Sequence, residues 1–170
     1  MFKTLQNTGG VISIFHNKRL TPSIDLLKIL TQADGKFNMD TEKFIIDRMD
    51  STLPTYDQYV HITHRCLNDT YSKNVLKNCF PFISGKTAGP EGKDRVTVKA
   101  PAVIGRLSSN GLKMFSEAEY LMIYQAFEEA LNSKEFESSE VFKAPLIVDW
   151  EQNMIANDEF GLDNILKKYK

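Results

Sequence analysis

The stretch Phe142-Lys143-Ala144-Pro145-Leu146-Ile147-Val148-Asp149-Trp150 constrains the fold most, because it sets a proline at the mouth of an apolar run of strand length. Proline has no N–H to give to a sheet ladder, so it belongs at a strand's first position or on an edge. A run as apolar as Leu146 to Val148 is buried, as a strand inside a sheet is. The Ala144-Pro145 bond is also a candidate for the cis form, which an X-Pro bond adopts at modest cost. Together these features predict a rigid, backbone-exposing turn beside a site.

A chain of 170 residues fits one domain with a substantial core, so a single domain over 1–170 is expected. With 42% hydrophobic and 25% charged residues, neither disorder nor a fibrous class is indicated. The balance of 21 basic against 22 acidic side chains gives no electrostatic reason to expect a nucleic-acid partner. No apolar run approaches the ~20 residues of a membrane helix, so no membrane span is expected. Cys66 and Cys79 are too few for a secreted disulfide scaffold, which favours a reducing compartment. The first 24 residues hold Lys3, Lys18 and Arg19 and no acid, as mitochondrial presequences do, although a strand from Val11 leaves only about ten residues for such a signal.

Val11-Ile12-Ser13-Ile14-Phe15 follows Gly9-Gly10 and reads as a central first strand. Thr21 suits a helix N-cap and Pro22 the first helical position, with Ile24, Leu26, Leu27, Ile29, Leu30 and Ala33 as the buried face and Gly35 as the end. Lys43 to Asp47 is a second strand, made parallel to the first by the helical crossover. Thr55 and Gln58 form a capping box that launches a helix through Tyr59, Ile62 and Cys66. Ser116 and Glu119 form another, with Phe115 and Tyr120 as staple and Ile123, Tyr124, Phe127, Ala130 and Leu131 at helical spacing. Pro145 to Trp150 is then a strand, Gln152-Asn153 a turn and Met154-Ile155-Ala156 an antiparallel strand. Asp158 and Glu159 open a last helix with Phe160, Leu162, Ile165, Leu166 and Tyr169 inward. The expected order is strand, helix, strand, two helices, hairpin, helix: an α/β fold with a central four-stranded mixed sheet and flanking helices. Residues 84–111 hold five of the nine glycines and read as a loop insertion, mobile, functional, or partly strand at Arg95 to Val98 or Ala102 to Ile104.

Two segments resemble a known pattern. Ile12-Ser13-Ile14-Phe15-His16-Asn17-Lys18-Arg19-Leu20 is similar to the strand and active-site loop of bacterial arsenate reductases, and Ala144-Pro145-Leu146-Ile147-Val148 to their Arg-Pro-Ile-Val strand. Leu53-Pro54-Thr55-Tyr56-Asp57-Gln58 and Val148-Asp149-Trp150-Glu151-Gln152-Asn153, with the final helix, resemble more closely a fungal family of small mitochondrial redox proteins. Both resemblances imply a thioredoxin-like fold, and the second implies a mitochondrial thiol oxidoreductase. The departures are specific. Leu20 stands where the arsenate reductase loop holds its nucleophilic cysteine, and no Cys-x-x-Cys occurs. The fungal family's late cysteine has no counterpart between Phe127 and Ser133, and only Cys66 lines up with a cysteine of a relative.

Cys66 is therefore the one thiol the resemblance offers as catalytic, on a small-molecule or thiol substrate. Arg65, His61 and His64 lie near it in sequence, whereas a helix C-terminus raises a thiol pKa and cysteine is a common core residue. A single thiol would need an external resolving thiol such as glutathione as co-substrate. Cys79, beside Phe80, Pro81 and Phe82, reads as core. His61 and His64 share a helix face, yet three ligands on one turn fit zinc poorly, so no metal is expected. Gly85-Lys86-Thr87 lacks the earlier glycine of a phosphate loop, since Phe80 stands there. His16 follows the first strand where ligands enter open α/β sheets. Lys18, Arg19 and the helix start at Thr21 would hold an anion or a glutathione-like carboxylate, and Ala144 and Pro145 complete the substrate-binding set. The opposing expectation is a binding module that keeps the fold without the chemistry and holds a peptide or protein partner through His16 to Thr21 and the Ala144-Pro145 backbone. A third is a transferase-like glutathione binder.

Overall fold

The computed structural model describes residues 10–80, 106–107, 113–132 and 141–170. The chain divides into two compact units, Met1–Ser51 with Ala144–Lys170, and Thr52–Lys143.

The first unit is built on a sheet of order β2-β1-β5-β6, from β1 (Gly10–His16), β2 (Phe44–Asp50), β5 (Leu146–Asp149) and β6 (Met154–Ala156). β1 runs parallel to β2, with Ile12 opposite Ile46, and antiparallel to β5, with Ile14 opposite Ile147. β6 closes antiparallel on β5. Ile12 and Ile14 alternate to one face of β1 and meet Leu26, Leu30 and Ala33 of α1 (Thr21–Phe37) and Leu162, Ile165 and Leu166 of α5 (Glu159–Leu166). Each fully buried Leu or Ile of this core contributes about 1.5–3 kcal/mol relative to exposure. A short 3-10 turn, Lys167–Tyr169, follows α5. The four-stranded mixed sheet, the central β1 and the β5–β6 hairpin are those expected, and the Ala144–Pro145 bond is cis.

Several local readings need correction. Gly35 does not end α1. The helix continues to Phe37 because Asn38 closes it, its Nδ2 donating to Asp34 Oδ1 at 2.6 Å and to the Phe44 carbonyl at 3.1 Å, while its Oδ1 accepts from Lys43 N at 2.6 Å. One side chain thus stops the helix and opens β2. Thr21 is not the N-cap either: Leu20 holds that position, its carbonyl accepting from Ser23 N and Ile24 N, and Thr21 is the first helical residue. Ile24 and Phe160 are exposed, at 45% and 65%, because the sheet covers only the middle of each helix's apolar stripe. β2 runs on to Asp50, beyond the expected Asp47.

Among its described residues the second unit holds three helices where two were expected: α2 (Tyr56–Arg65), α3 (Thr70–Cys79) and α4 (Glu117–Asn132). Asp69 starts α3 by accepting from Ser72 N at 2.8 Å, and Val75, Leu76 and Cys79 are buried behind it. Both capping boxes are formed, Thr55 with Gln58 and Ser116 with Glu119. The core is aromatic. Tyr59 and Tyr120 stack at 4.7 Å, Phe80 meets Tyr59 at 6.0 Å, and Phe142 meets Phe80 at 5.2 Å. Tyr59 accepts from Phe115 N at 3.2 Å, and Tyr120 donates to the Pro54 carbonyl. Two-residue strands β3 (Arg106–Leu107) and β4 (Lys113–Met114) pair antiparallel. The strand alternatives at 95–98 and 102–104 lie outside the described residues. Among the described residues no helix is long and apolar enough to cross a membrane.

Burial has a titration consequence. It pushes the Cys79 thiol from 9.0 up to about 12, only partly offset by Lys143, and the Tyr59 phenol from 10.0 up to about 12. Tyr120 is raised in the same sense by burial. Between pH 9.0 and about 12 the unfolded chain has released the protons that the fold retains, so stability falls as pH rises and is whole below that window. The urea midpoint, measured in reductant, is expected to be flat from about pH 7.5 to about pH 8.5 and to drop steadily above about pH 9. A midpoint still flat at about pH 11 contradicts this assignment.

Candidate functional site

The turn between β1 and α1 is built from its own side chains. Asn17 Oδ1 accepts from Arg19 N at 2.9 Å, an Asx turn, and the Asn17 carbonyl accepts from Leu20 N at 3.1 Å. Ser23, fully buried in the first turn of α1, reaches back: its Oγ accepts from Asn17 N at 2.9 Å and lies 2.7 Å from His16 Nδ1. The His16 carbonyl accepts from Ser51 N at 2.8 Å, which ties the end of β2 to the same point. Burial holds the His16 imidazole below its usual pKa of 6.5; Arg48 acts in the same sense, and Asp50 and a backbone hydrogen bond with Ser23 act against it.

This construction sorts the expected binding residues. His16 is buried, 4% exposed, and Lys18, Arg19 and Thr21 face solvent. Ala144 and Pro145 are buried at the entry to β5. Phe15 is paired with Leu146, so the next positions outward are His16 and Pro145, and the sheet itself brings these two segments together. The start of α1 offers an anion less than its sequence suggests. Ser23 N and Ile24 N already bond to the Leu20 carbonyl and Pro22 has no N–H, which leaves the side-chain charges of Lys18 and Arg19 as the main attraction.

Cys66 belongs to the second unit. It is the C-cap of α2, its N–H bonding to the Ile62 carbonyl at 2.9 Å, and it is 0% exposed. The negative end of a helix disfavours a thiolate there. Cys79 is also buried, and its raised pKa keeps it a thiol at neutral pH. His64 turns its Nδ1 to the Val60 carbonyl at 2.9 Å. Among the described residues no group of three His, Cys, Asp or Glu side chains converges to hold a metal ion.

Sequence reasoning missed Ser23 and the polar knot at Asp149. Asp149 is fully buried at the end of β5, where Oδ1 accepts from Glu151 N and Gln152 N, both at 3.0 Å. Its Oδ2 accepts from Gln152 Nε2 at 2.7 Å and from the Tyr169 hydroxyl at 2.6 Å. Trp150 Nε1 donates to Ser13 Oγ at 2.8 Å, and that hydroxyl donates to Asp47 Oδ2 at 3.1 Å. The segment Val148 to Asn153 therefore orders the hairpin and docks the 3-10 turn Lys167–Tyr169. The available signal was a carboxylate closing an apolar strand, which is buried only with partners in place.

Comparison with curated proteins and with solved structures gives no match. A family described as protein of unknown function, DUF1687, matches over residues 2–158. That span takes in β1, the turn at His16 to Thr21, both cysteines and the β5–β6 hairpin, so the chain belongs to the DUF1687 family.

Proposed function

We propose that this chain is a thioredoxin-like binding module, which holds an extended peptide or a protein partner at the β1–α1 turn and the mouth of β5. The sheet order β2-β1-β5-β6, with α1 between β1 and β2 and α5 after β6, supports the thioredoxin-like part of this reading. The observation that carries the functional choice is the placement of thiols. Leu20 stands where the resembled arsenate reductase loop holds its nucleophile, and Cys66 and Cys79 are both buried. A nucleophilic cysteine needs exposure and a field that favours its thiolate. The competing reading, a mitochondrial redox protein using Cys66 with glutathione as resolving thiol, is supported by the family resemblance of Leu53 to Gln58 and Val148 to Asn153. Mitochondrial residence is compatible with either reading.

The test has two arms. Iodoacetamide labelling of the native protein, followed by mass spectrometry from about pH 6 to about pH 9, is expected to modify both cysteines at least ~100-fold more slowly than in urea. Rapid labelling of native Cys66, with a pKa below the ~8.5 of an ordinary thiol, replaces the binding reading with the redox one. In the second arm, peptides selected from a random library are expected to shift the NMR amide signals of residues 16–21 and 144–146. Selected peptides that map elsewhere on the chain refute the proposed surface.

A further inference from the structure

We propose that the His16–Ser23 pair is a proton-sensitive latch on the β1–α1 turn, closed when the imidazole is neutral and released when it takes up a proton. The use of this latch, to modulate binding, rests on the reading of the turn as a recognition surface; its existence does not.

The argument starts from hydrogen-bond capacity. A serine hydroxyl has one proton to give and two lone pairs. One lone pair of Ser23 takes the Asn17 N–H at 2.9 Å. Its 2.7 Å contact with His16 Nδ1 is then best met by the hydroxyl donating to an unprotonated Nδ1, which puts the ring proton on Nε2. In this state the Ser23 hydroxyl both donates, to Nδ1, and accepts, from Asn17 N. Protonation places a hydrogen on Nδ1, so the two groups direct protons at each other. The Ser23 proton must turn away at a site where Ser23 is 0% and His16 4% exposed. A buried donor turned from its acceptor is costly, and so is a buried charge.

The charged groups that face His16 come from β2. Arg48 opposes the imidazolium and Asp50, its register partner, favours it. Those two form an ion pair with each other, Arg48 Nε to Asp50 Oδ1 at 2.8 Å, so the aspartate is not turned wholly to the ring. From α1 the facing group is the neutral Ser23, whose backbone hydrogen bond to the ring is the one contribution from this helix that favours the charged form, while Lys18 and Arg19 in the turn are exposed. On the β5 side Ala144 and Pro145 carry no charge. Desolvation outweighs the other contributions and lowers the His16 pKa. The sign follows: the latch is whole above the unfolded value of 6.5 and is lost as pH falls through the lower folded value. What loosens is specific. Asn17 N hangs on Ser23, and the Asn17 side chain holds Arg19 N, so release frees the stretch that carries both exposed cations.

NMR of the full chain reads this without any partner, so its outcome is separate from that of the binding proposal. At about pH 7.5 the His16 ring nitrogens are expected to report Nδ1 unprotonated and Nε2 protonated. As pH falls to about 5, the exchange protection of the Asn17 amide, corrected for intrinsic rate, is expected to drop at least ~10-fold in step with His16 titration, while Ile14 in β1 stays protected. In Ser23→Ala the Asn17 amide is expected to be weakly protected at both pH values. Asn17 protection that does not change while His16 titrates overturns the proposal, as does an Nδ1 that already carries the proton at about pH 7.5. If Ser23→Ala does not fold, the wild-type titration alone decides.

Discussion

Replacing Asp149 with alanine is expected to cost about 3–5 kcal/mol of unfolding free energy, read as a lowered urea midpoint at unchanged slope. The carboxylate is 0% exposed and accepts four hydrogen bonds. Each donor left buried and unmatched costs about 1–3 kcal/mol. The four do not count equally. Glu151 N and Gln152 N lie in the β5–β6 turn beside half-buried and exposed side chains and can reach solvent, whereas Tyr169, 4% exposed, cannot. Gln152 Nε2 keeps a second partner, the Ile165 carbonyl at 2.9 Å. Hence the expected figure lies well under the sum. Asp149→Asn separates the two oxygens. It keeps an acceptor for the turn amides and sets an NH2 against the Tyr169 and Gln152 donors, so it is expected to cost about 1.5–3 kcal/mol. A loss under about 1 kcal/mol for the alanine variant contradicts the structural role assigned to the knot.

What could be read from the sequence follows from how local each determinant is. β1 and β5 were legible because both are apolar on both faces, and the crossover through α1 forced β1 and β2 parallel. Both capping boxes were legible because donor and acceptor lie three residues apart. Ends set by longer reach were not. Gly35 looks like a terminator, yet Asn38 terminates α1 through bonds that also serve β2, and helical periodicity cannot foresee that pairing. Ile24 and Phe160 fit the apolar stripe of their helices, but the width of the covering sheet decides which part is buried. α3 was missed because Ser72 stands on its buried face and breaks the apolar count, although Asp69 marked its start. At the candidate site, His16 was found from its position after a central strand. Ser23 was not, since its role exists only once the turn folds back over seven residues. The position of Cys66 at the end of α2 was legible, and its full burial was not.

Gly10→Ala tests the same knot from the opposite strand and is expected to cost about 2–4 kcal/mol, a loss that Tyr169→Phe partly relieves. A Cβ built on Gly10 overlaps the Tyr169 hydroxyl, with the ring carbon Cζ at 3.3 Å and Asp149 Oδ1 at 3.6 Å. A tyrosine oxygen at the end of a loose side chain would swing aside cheaply. This one cannot, because its hydroxyl is bonded to Asp149, its ring packs on Phe44 with centroids 4.9 Å apart, and its carbonyl accepts from Lys43 Nζ at 3.2 Å. The added methyl must therefore break the Tyr169–Asp149 bond or push β1 out of register with β2 and β5. Tyr169→Phe alone removes one donor and leaves Asp149 with three, at an expected cost of about 1–2 kcal/mol. In the double variant the overlapping oxygen is gone and the remaining 3.3 Å contact needs only a small shift. The double loss is thus expected to fall short of the sum of the singles by about 1–2 kcal/mol in a urea-unfolding cycle. Additivity within about 0.5 kcal/mol would mean that Gly10 is required for some reason other than the space its neighbour's hydroxyl occupies.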